Sequence, residues 1–135
     1  MADDSFQSPR TVSCADFNGD GLIDLVTYYA GEGFLYWFEN NGDGSFTPVE
    51  ISTFAALAES IVPADFDGDG DVDLLRASLL DDRIDWYEND GDGNFSSEIL
   101  ITSNVEAPWE VFADDLDGDG DIDVLSSSQD DDKIA

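Results

Sequence analysis

Three short stretches concentrate the residues best suited to holding a cation. Counted from its first aspartate, each carries a carboxylate or carboxamide at positions 1, 3, 5 and 9, with glycine at position 6. In the first stretch these are Asp16, Asn18, Asp20 and Asp24, with Gly21. In the second they are Asp65, Asp67, Asp69 and Asp73, with Gly70. In the third they are Asp115, Asp117, Asp119 and Asp123, with Gly120. Alternating side chains in a tight loop converge on one point, and glycine permits the sharp turn. The backbone carbonyl at position 7 (Leu22, Asp71, Asp121) offers a further oxygen. An all-oxygen donor set disfavours soft metals. Its loose geometry suits Ca²⁺, which takes about six to eight oxygens at ~2.3–2.6 Å, better than octahedral Mg²⁺. Three calcium sites are therefore expected, one per loop.

Charge density supports the same reading. The second and third loops place aspartate at positions 1, 3, 5, 7 and 9, and carboxylates so close repel one another. A turn that needs only polarity does not require that density, whereas a bound dication offsets it. The EF-hand shares the first six positions but needs glutamate at position 12 and flanking helices. Position 12 is Thr27, Arg76 or Ser126, and the flanks have strand character.

Other chemistry is poorly supplied. The chain has no histidine and one cysteine, Cys14. This removes His-dependent catalysis, zinc-finger sites and any internal disulfide. Paired carboxylates are abundant, but their regular spacing suits ligands rather than an acid and a base of distinct pKa. No enzyme is expected. With 33 acidic residues against 4 basic ones, the formal net charge is −29. Such a chain repels nucleic acid and anionic membrane surfaces. Its apolar runs are too short to span a bilayer, so no membrane insertion is expected. The first residues, Met1-Ala2-Asp3-Asp4-Ser5, lack the basic and apolar regions of a signal peptide. This acidity alone would suggest disorder. At 41% hydrophobic and 12% aromatic, however, the chain can build a core if its acids are segregated.

The loops must be positioned by elements that recur with them. Ala15-Asp16-Phe17-Asn18-Gly19-Asp20-Gly21-Leu22-Ile23-Asp24-Leu25-Val26 returns at Ala64 to Leu75 and again at Asp114 to Leu125. A second motif, Trp37-Phe38-Glu39-Asn40-Asn41-Gly42-Asp43-Gly44-Ser45-Phe46, returns at Trp86 to Phe95. Both repeat at roughly 50 residues, a period in the range of propeller blades. The third copy reaches Asp131-Asp132-Lys133-Ile134-Ala135, which matches Asp81 to Asp85. The chain therefore holds about 2.7 units.

Each unit reads as four short strands, all β. In the second unit, Ser60 to Val62 leads into the acidic loop and Val72 to Ala77 follows it. Arg83 to Glu88 alternates, with Ile84 and Trp86 on one face, and Phe95 to Ile101 alternates again. The run after the loop is too continuously apolar for a sheet wet on one side, so it should be covered on both faces. Asn41 to Gly44 and Asp90 to Gly93 are hairpin turns. Ala55 to Glu59 is a link between units. Trp37 and Trp86 are core residues, and Cys14, aligned with Pro63 and Ala113, is a small packing residue. Tyr28 and Tyr29 lack aromatic counterparts in the other copies and are candidates for a local exposed contact. Asp81-Asp82 and Asp130 to Asp132 read as solvated loop acids. Asn94-Phe95-Ser96 is a glycosylation sequon on a turn.

The loop motif Ala-Asp-Phe-Asn/Asp-Gly-Asp-Gly-x-x-Asp-Leu, followed by Trp-aromatic-Glu-Asn-x-Gly-Asp-Gly-x-Phe, resembles the FG-GAP/VCBS repeat. That repeat is the blade of calcium-binding β-propellers related to the integrin α-subunit head. The resemblance covers about Arg10 to Ala135. It implies four-stranded antiparallel blades around an axis, with Ca²⁺ between the first and second strands of each. By position, the ligands would be Asp16, Asn18, Asp20, the Leu22 carbonyl and Asp24. The other loops match them with Asp65, Asp67, Asp69, Asp71 and Asp73, and with Asp115, Asp117, Asp119, Asp121 and Asp123. Residues 1–9 would be a lead-in, 10–52 the first blade, 53–102 the second and 103–135 a partial third. The Phe-Gly and Gly-Ala-Pro elements that name the family are absent. Fewer than three blades cannot close a ring, so further blades are expected from the same longer chain or from self-association. The expected function is a non-enzymatic, Ca²⁺-stabilised module of an extracellular or cell-surface adhesion or recognition protein, with a protein or glycan ligand. A structural filament subunit using open blade edges, and a carbohydrate-binding lectin-like propeller, are the alternatives.

Overall fold

The computed structural model describes residues 8–53 and 57–130, and the backbone of 133–134. It is all-β, with three antiparallel sheets that follow one another along the chain. The first contains β1 (Pro9–Ala15), β2 (Asp24–Tyr29), β3 (Phe34–Asn40) and β4 (Phe46–Ser52) in sequential order. The second contains β5 (Ala58–Ala64), β6 (Asp73–Ser78), β7 (Arg83–Tyr87) and β8 (Ile99–Thr102) in the same order. The third contains β9 (Pro108–Asp114), β10 (Asp123–Ser128) and β11 (Lys133–Ile134). Each is a meander, and none closes into a barrel. Three such sheets are an incomplete propeller, as expected.

The blades pack in series. β1 lies against β5, and β5 against β9, so the first strands share the inner edge of the arc. Ser13 Oγ donates to the Ile61 carbonyl at 2.6 Å, and the Val111 N–H donates to Ser60 Oγ at 3.4 Å. One apolar core joins the first two blades: Phe17, Val26, Tyr28, Leu35 and Trp37 meet Ala58, Ile61, Leu74 and Tyr87. A smaller one joins the second and third: Leu75, Ala77 and Ile84 meet Val105 and Val111. Each blade thus buries a face only against its neighbour, the organisation of a repeat protein. This is why β6, with a blade on either side, is buried on both faces, as its apolar run predicts. β2 is almost wholly buried too, but its second face is covered from within its own blade, where Tyr29 meets Tyr36.

Irregularities recur with the repeat. The first two strands of each blade lose register at one place, leaving Arg10, Glu59 and Trp109 unmatched. Ser8, Leu57 and Ala107, each two residues earlier, have positive φ of 59°, 33° and 52°. Their carbonyls accept the N–H of Ala30, Leu79 and Gln129 respectively. Bulges of this kind bend a strand and raise its twist. Here they shape each inner strand alike, and they set Arg10 3.1 Å from Glu59 across the blade boundary.

Several local expectations are corrected. Tyr28 and Tyr29 are not an exposed contact: both are buried. Tyr28 lies in the core between blades, and Tyr29 stacks edge-on against Tyr36 at 6.1 Å on the opposite face. Cys14 is exposed rather than packed. It shares the outward side of β1 with Val12, which is 67% exposed. β8 is shorter than the alternating run Phe95 to Ile101, which contributes only an isolated Asn89–Phe95 bridge before Ile99. Ala58 and Glu59 belong to β5 rather than to a link, and residues 54–56 lie outside the described residues. Asp82 is not merely solvated, because its Oδ1 accepts the Ala107 N–H of the next blade at 2.8 Å.

Trp37 is buried as expected, and its ring lies under the second blade's turn. A Cβ at Gly93 would collide with the Trp37 ring at Cη2, and Gly93 has φ +79°. Gly93→Ala should therefore cost about 2–4 kcal/mol, from left-handed strain plus overpacking. Gly44, its counterpart in the first blade, has φ +89° but open space. Gly44→Ala should cost only the strain of about 1–2 kcal/mol. Urea unfolding of both variants measures the difference.

Candidate metal centres

Each acidic loop is folded by its own aspartates. Asp65 Oδ1 accepts the Gly68 N–H at 2.9 Å, and Oδ2 accepts that of Gly70 at 3.0 Å. Asp67 accepts the Asp69 N–H, and Asp69 accepts the Asp71 N–H. Asp115, Asp117 and Asp119 repeat this pattern with Gly118, Gly120, Asp119 and Asp121. The first loop differs slightly: Asp16 accepts from Asp20 and Gly21, and Asn18 also accepts from Asp20. Asp20 accepts the Leu22 N–H at 2.7 Å. These turns draw alternate side chains inward. Gly21 and Gly70, at φ +86° and +99°, take the conformation that a side chain resists.

Position 9 has a second task. Asp24 and Asp73 are fully buried. Asp73 Oδ2 accepts the Phe66 N–H at 2.9 Å, and Oδ1 accepts the Asn89 N–H at 2.8 Å. Asp24 makes the same pair with Phe17 and Asn40. Asp123 accepts only from Leu116 among the described residues and is half-buried. The Asn of the Trp-aromatic-Glu-Asn motif is thus a loop latch, a role that residue type alone did not disclose. Its presence at the same place in both complete copies was the available signal.

Oxygens of Asp65, Asp67 and Asp73 lie within 4.8 Å of one another, as do those of Asp115, Asp117 and Asp123. The structure therefore brings together positions 1, 3 and 9 of the second and third loops. Positions 5 and 7 (Asp69, Asp71, Asp119, Asp121) fall outside these groups. In the first loop position 3 is Asn18, whose amide lies 3.4 Å from Glu39 Oε1, so Asp16 and Asp24 form no such carboxylate trio. Burial, followed by the charges of Asp69, Asp65, Asp90 and Asp67, raises the Asp71 carboxyl above its ordinary range. Burial raises Asp73 as well, against the Asn89 and Phe66 hydrogen bonds that lower it. The second loop therefore holds negative charge that its protein partners do not neutralise. Hard oxygen donors and uncompensated charge fit a Ca²⁺ ion.

The acidic hairpins behave differently. The Ser45 hydroxyl and N–H lower the Asp43 carboxyl, and the Asn94 amide and the Asp92 N–H lower that of Asp90. Asp43 and Asp90 are satisfied locally as turn residues. Asn94, the sequon residue, spends its amide on Asp90 at 3.0 Å.

The sequence matches the FG-GAP-like repeat over residues 16–76 and 76–126. The chain belongs to the FG-GAP-like repeat family. The first match takes in the first and second acidic loops and the other takes in the third; together they cover most of the chain. FG-GAP-like repeats form a β-propeller-like structural and recognition module, which agrees with the meander sheets. A search of curated proteins finds no match.

Proposed function

We propose that this FG-GAP-like chain is a non-enzymatic, Ca²⁺-stabilised propeller module of an extracellular or cell-surface adhesion or recognition protein. The observation that carries the reading is the convergence of the position 1, 3 and 9 carboxylates in two successive loops. Asp65, Asp67 and Asp73 would hold one ion, and Asp115, Asp117 and Asp123 another. Asp16, Asn18 and Asp24 would form a weaker third site. Extracellular calcium fills even sites of ~10⁻⁴–10⁻³ M. At a hundredfold excess over Kd, each filled site adds about 2.7 kcal/mol of stability. The melting temperature should therefore rise by roughly 10 °C for each site filled between excess chelator and saturating calcium. Equal melting temperatures in the two conditions would refute the reading.

Further blades are the proposed partners, from a longer chain or from a second copy. Val12 on the first blade, and Phe112 and Leu116 on the third, are more than half exposed where their counterparts in the second blade pack against a neighbour. Open faces of this kind also support the filament reading, which sedimentation and electron microscopy would separate from a discrete particle. A lectin-like role draws on the half-buried Phe34, Tyr36 and Phe38, whose rings form a row at 6.1–6.3 Å on the first blade's outer face above the buried Tyr29. A glycan array tests it.

A further inference from the structure

One hydrogen-bonded path joins the position-9 carboxylates of two different loops. Asp73 Oδ1 accepts the Asn89 N–H at 2.8 Å. The Asn89 side-chain amide donates at 2.8 Å to the Phe17 carbonyl, in the first loop, and at 3.0 Å to the Val72 carbonyl, in its own blade. The Phe17 N–H donates to Asp24 Oδ2 at 3.2 Å. Asn89 and Phe17 are both 1% exposed, and Phe17 is held edge-on against Phe95 at 5.8 Å. The path is therefore shielded from water, where hydrogen bonds are strongest.

Asn40 provides an internal comparison. It occupies the same place in the first blade, gives its N–H to Asp24 Oδ1 at 2.8 Å and its side-chain amide to the Ile23 carbonyl at 2.9 Å. Asn89 makes both of these local bonds and adds the cross-blade one.

We propose that Asn89 couples calcium occupancy of the first and second loops, so that filling the second raises the affinity of the first. This rests on the calcium reading above. Phe17 stands between Asp16 and Asn18, positions 1 and 3 of the first loop, so fixing its peptide fixes the backbone that carries both. A cation that orders Asp73 orders Asn89, and Asn89 orders the Phe17 peptide before the first loop binds. Preorganisation lowers the cost of binding. The first loop has most to gain, because Asn18 and Leu22 replace aspartates found at positions 3 and 7 of the others. The coupling is reciprocal by thermodynamic necessity.

The test is an amide-resolved calcium titration of the full chain by ¹⁵N NMR. Gly21 reports the first loop through its bond to Asp16 at 2.8 Å, and Gly70 the second through Asp65 at 3.0 Å. Asp65→Asn weakens the second loop without altering Asp73 or Asn89. It should move the Gly21 midpoint to calcium concentrations at least about fivefold higher, the lower end of usual coupling. In Asn89→Ala the Gly21 midpoint should already lie there, and adding Asp65→Asn should change it no further. Asn40→Ala, which spares the cross-blade bond, should keep the Asp65→Asn effect. An unchanged Gly21 midpoint in Asp65→Asn overturns the coupling, whether or not Asn89→Ala folds. Coupling that survives in Asn89→Ala overturns the role of Asn89. If neither glycine responds to calcium, the calcium reading itself fails, and the coupling falls with it.

Discussion

Replacing Asp85 with alanine should destabilise the protein by about 3–5 kcal/mol, the usual cost of leaving a buried charge without its partner. Arg76 is fully buried at the boundary between the first two blades. Its Nε and Nη2 donate to the two oxygens of Asp85 at 2.8 and 2.7 Å, and its guanidinium lies 5.4 Å from the centre of the Tyr87 ring. Burial works against the Arg76 charge, but the Asp85 hydrogen bond, Tyr87 and the Asp85 charge outweigh it and raise the pKa. Among the described residues Nη1 finds no acceptor, so Arg76 depends on Asp85. Arg83 approaches Asp85 at 2.9 Å, yet it is partly exposed and cannot replace that pair. Removing both charges is a different matter. Arg76→Met with Asp85→Leu should be near neutral or stabilising, because desolvation of the pair largely offsets its attraction. Urea midpoints of the single and double variants check both statements. A loss below 1 kcal/mol in Asp85→Ala would show that water reaches the site.

Asp73→Ala should cost about 2–4 kcal/mol even without calcium. It leaves the N–H groups of Phe66 and Asn89 without their acceptor, at about 1–3 kcal/mol each, while relief of carboxylate repulsion returns part of the loss. Asp67→Ala, at an exposed position with one local bond, should cost less than about 1 kcal/mol in the same conditions. Both should abolish calcium binding by the second loop. Unfolding in chelator, set beside calcium titration, thus separates the residue that builds the loop from the one that only furnishes a donor. Equal losses for the two variants in chelator would contradict the division.

The repeat made much of the fold legible. Two motifs in one register gave the number of units, and the continuous apolar run after each loop announced a strand covered on both faces. The turn residues Asn41 to Gly44 and Asp90 to Gly93 announced their hairpins. What stayed hidden depends on strand register and on neighbours outside the unit. Arg76 stands where the other copies have Thr27 and Ser126, so the alignment marks it as different. Its partner Asp85 lies directly opposite on the next strand of the same blade, so the pairing follows from the register of β6 with β7, which the alignment of copies does not give. Tyr28 and Tyr29 differ from the other copies for a similar reason: one fills the blade boundary and the other supports an aromatic row on the outer face. Cys14 has the small side chain of a packing residue, yet it is exposed, and residue type alone does not give exposure. In the candidate sites, residue type and spacing picked out the acidic loops, and in two of them the carboxylates at positions 1, 3 and 9 converge. Type and spacing did not separate position 9, whose carboxylate is buried under backbone bonds, from positions 5 and 7, which lie outside the converging groups.

The most direct measurement of the calcium account is isothermal titration of Ca²⁺ into the chelator-stripped chain, in parallel with a variant carrying Asp65→Asn and Asp115→Asn. The account predicts saturable binding to the unaltered chain, with two tighter sites in the second and third loops and a weaker one in the first. The variant should lose the two tighter sites and retain at most the weak one. Binding that is absent up to millimolar calcium, or that is unchanged in the variant, would contradict it.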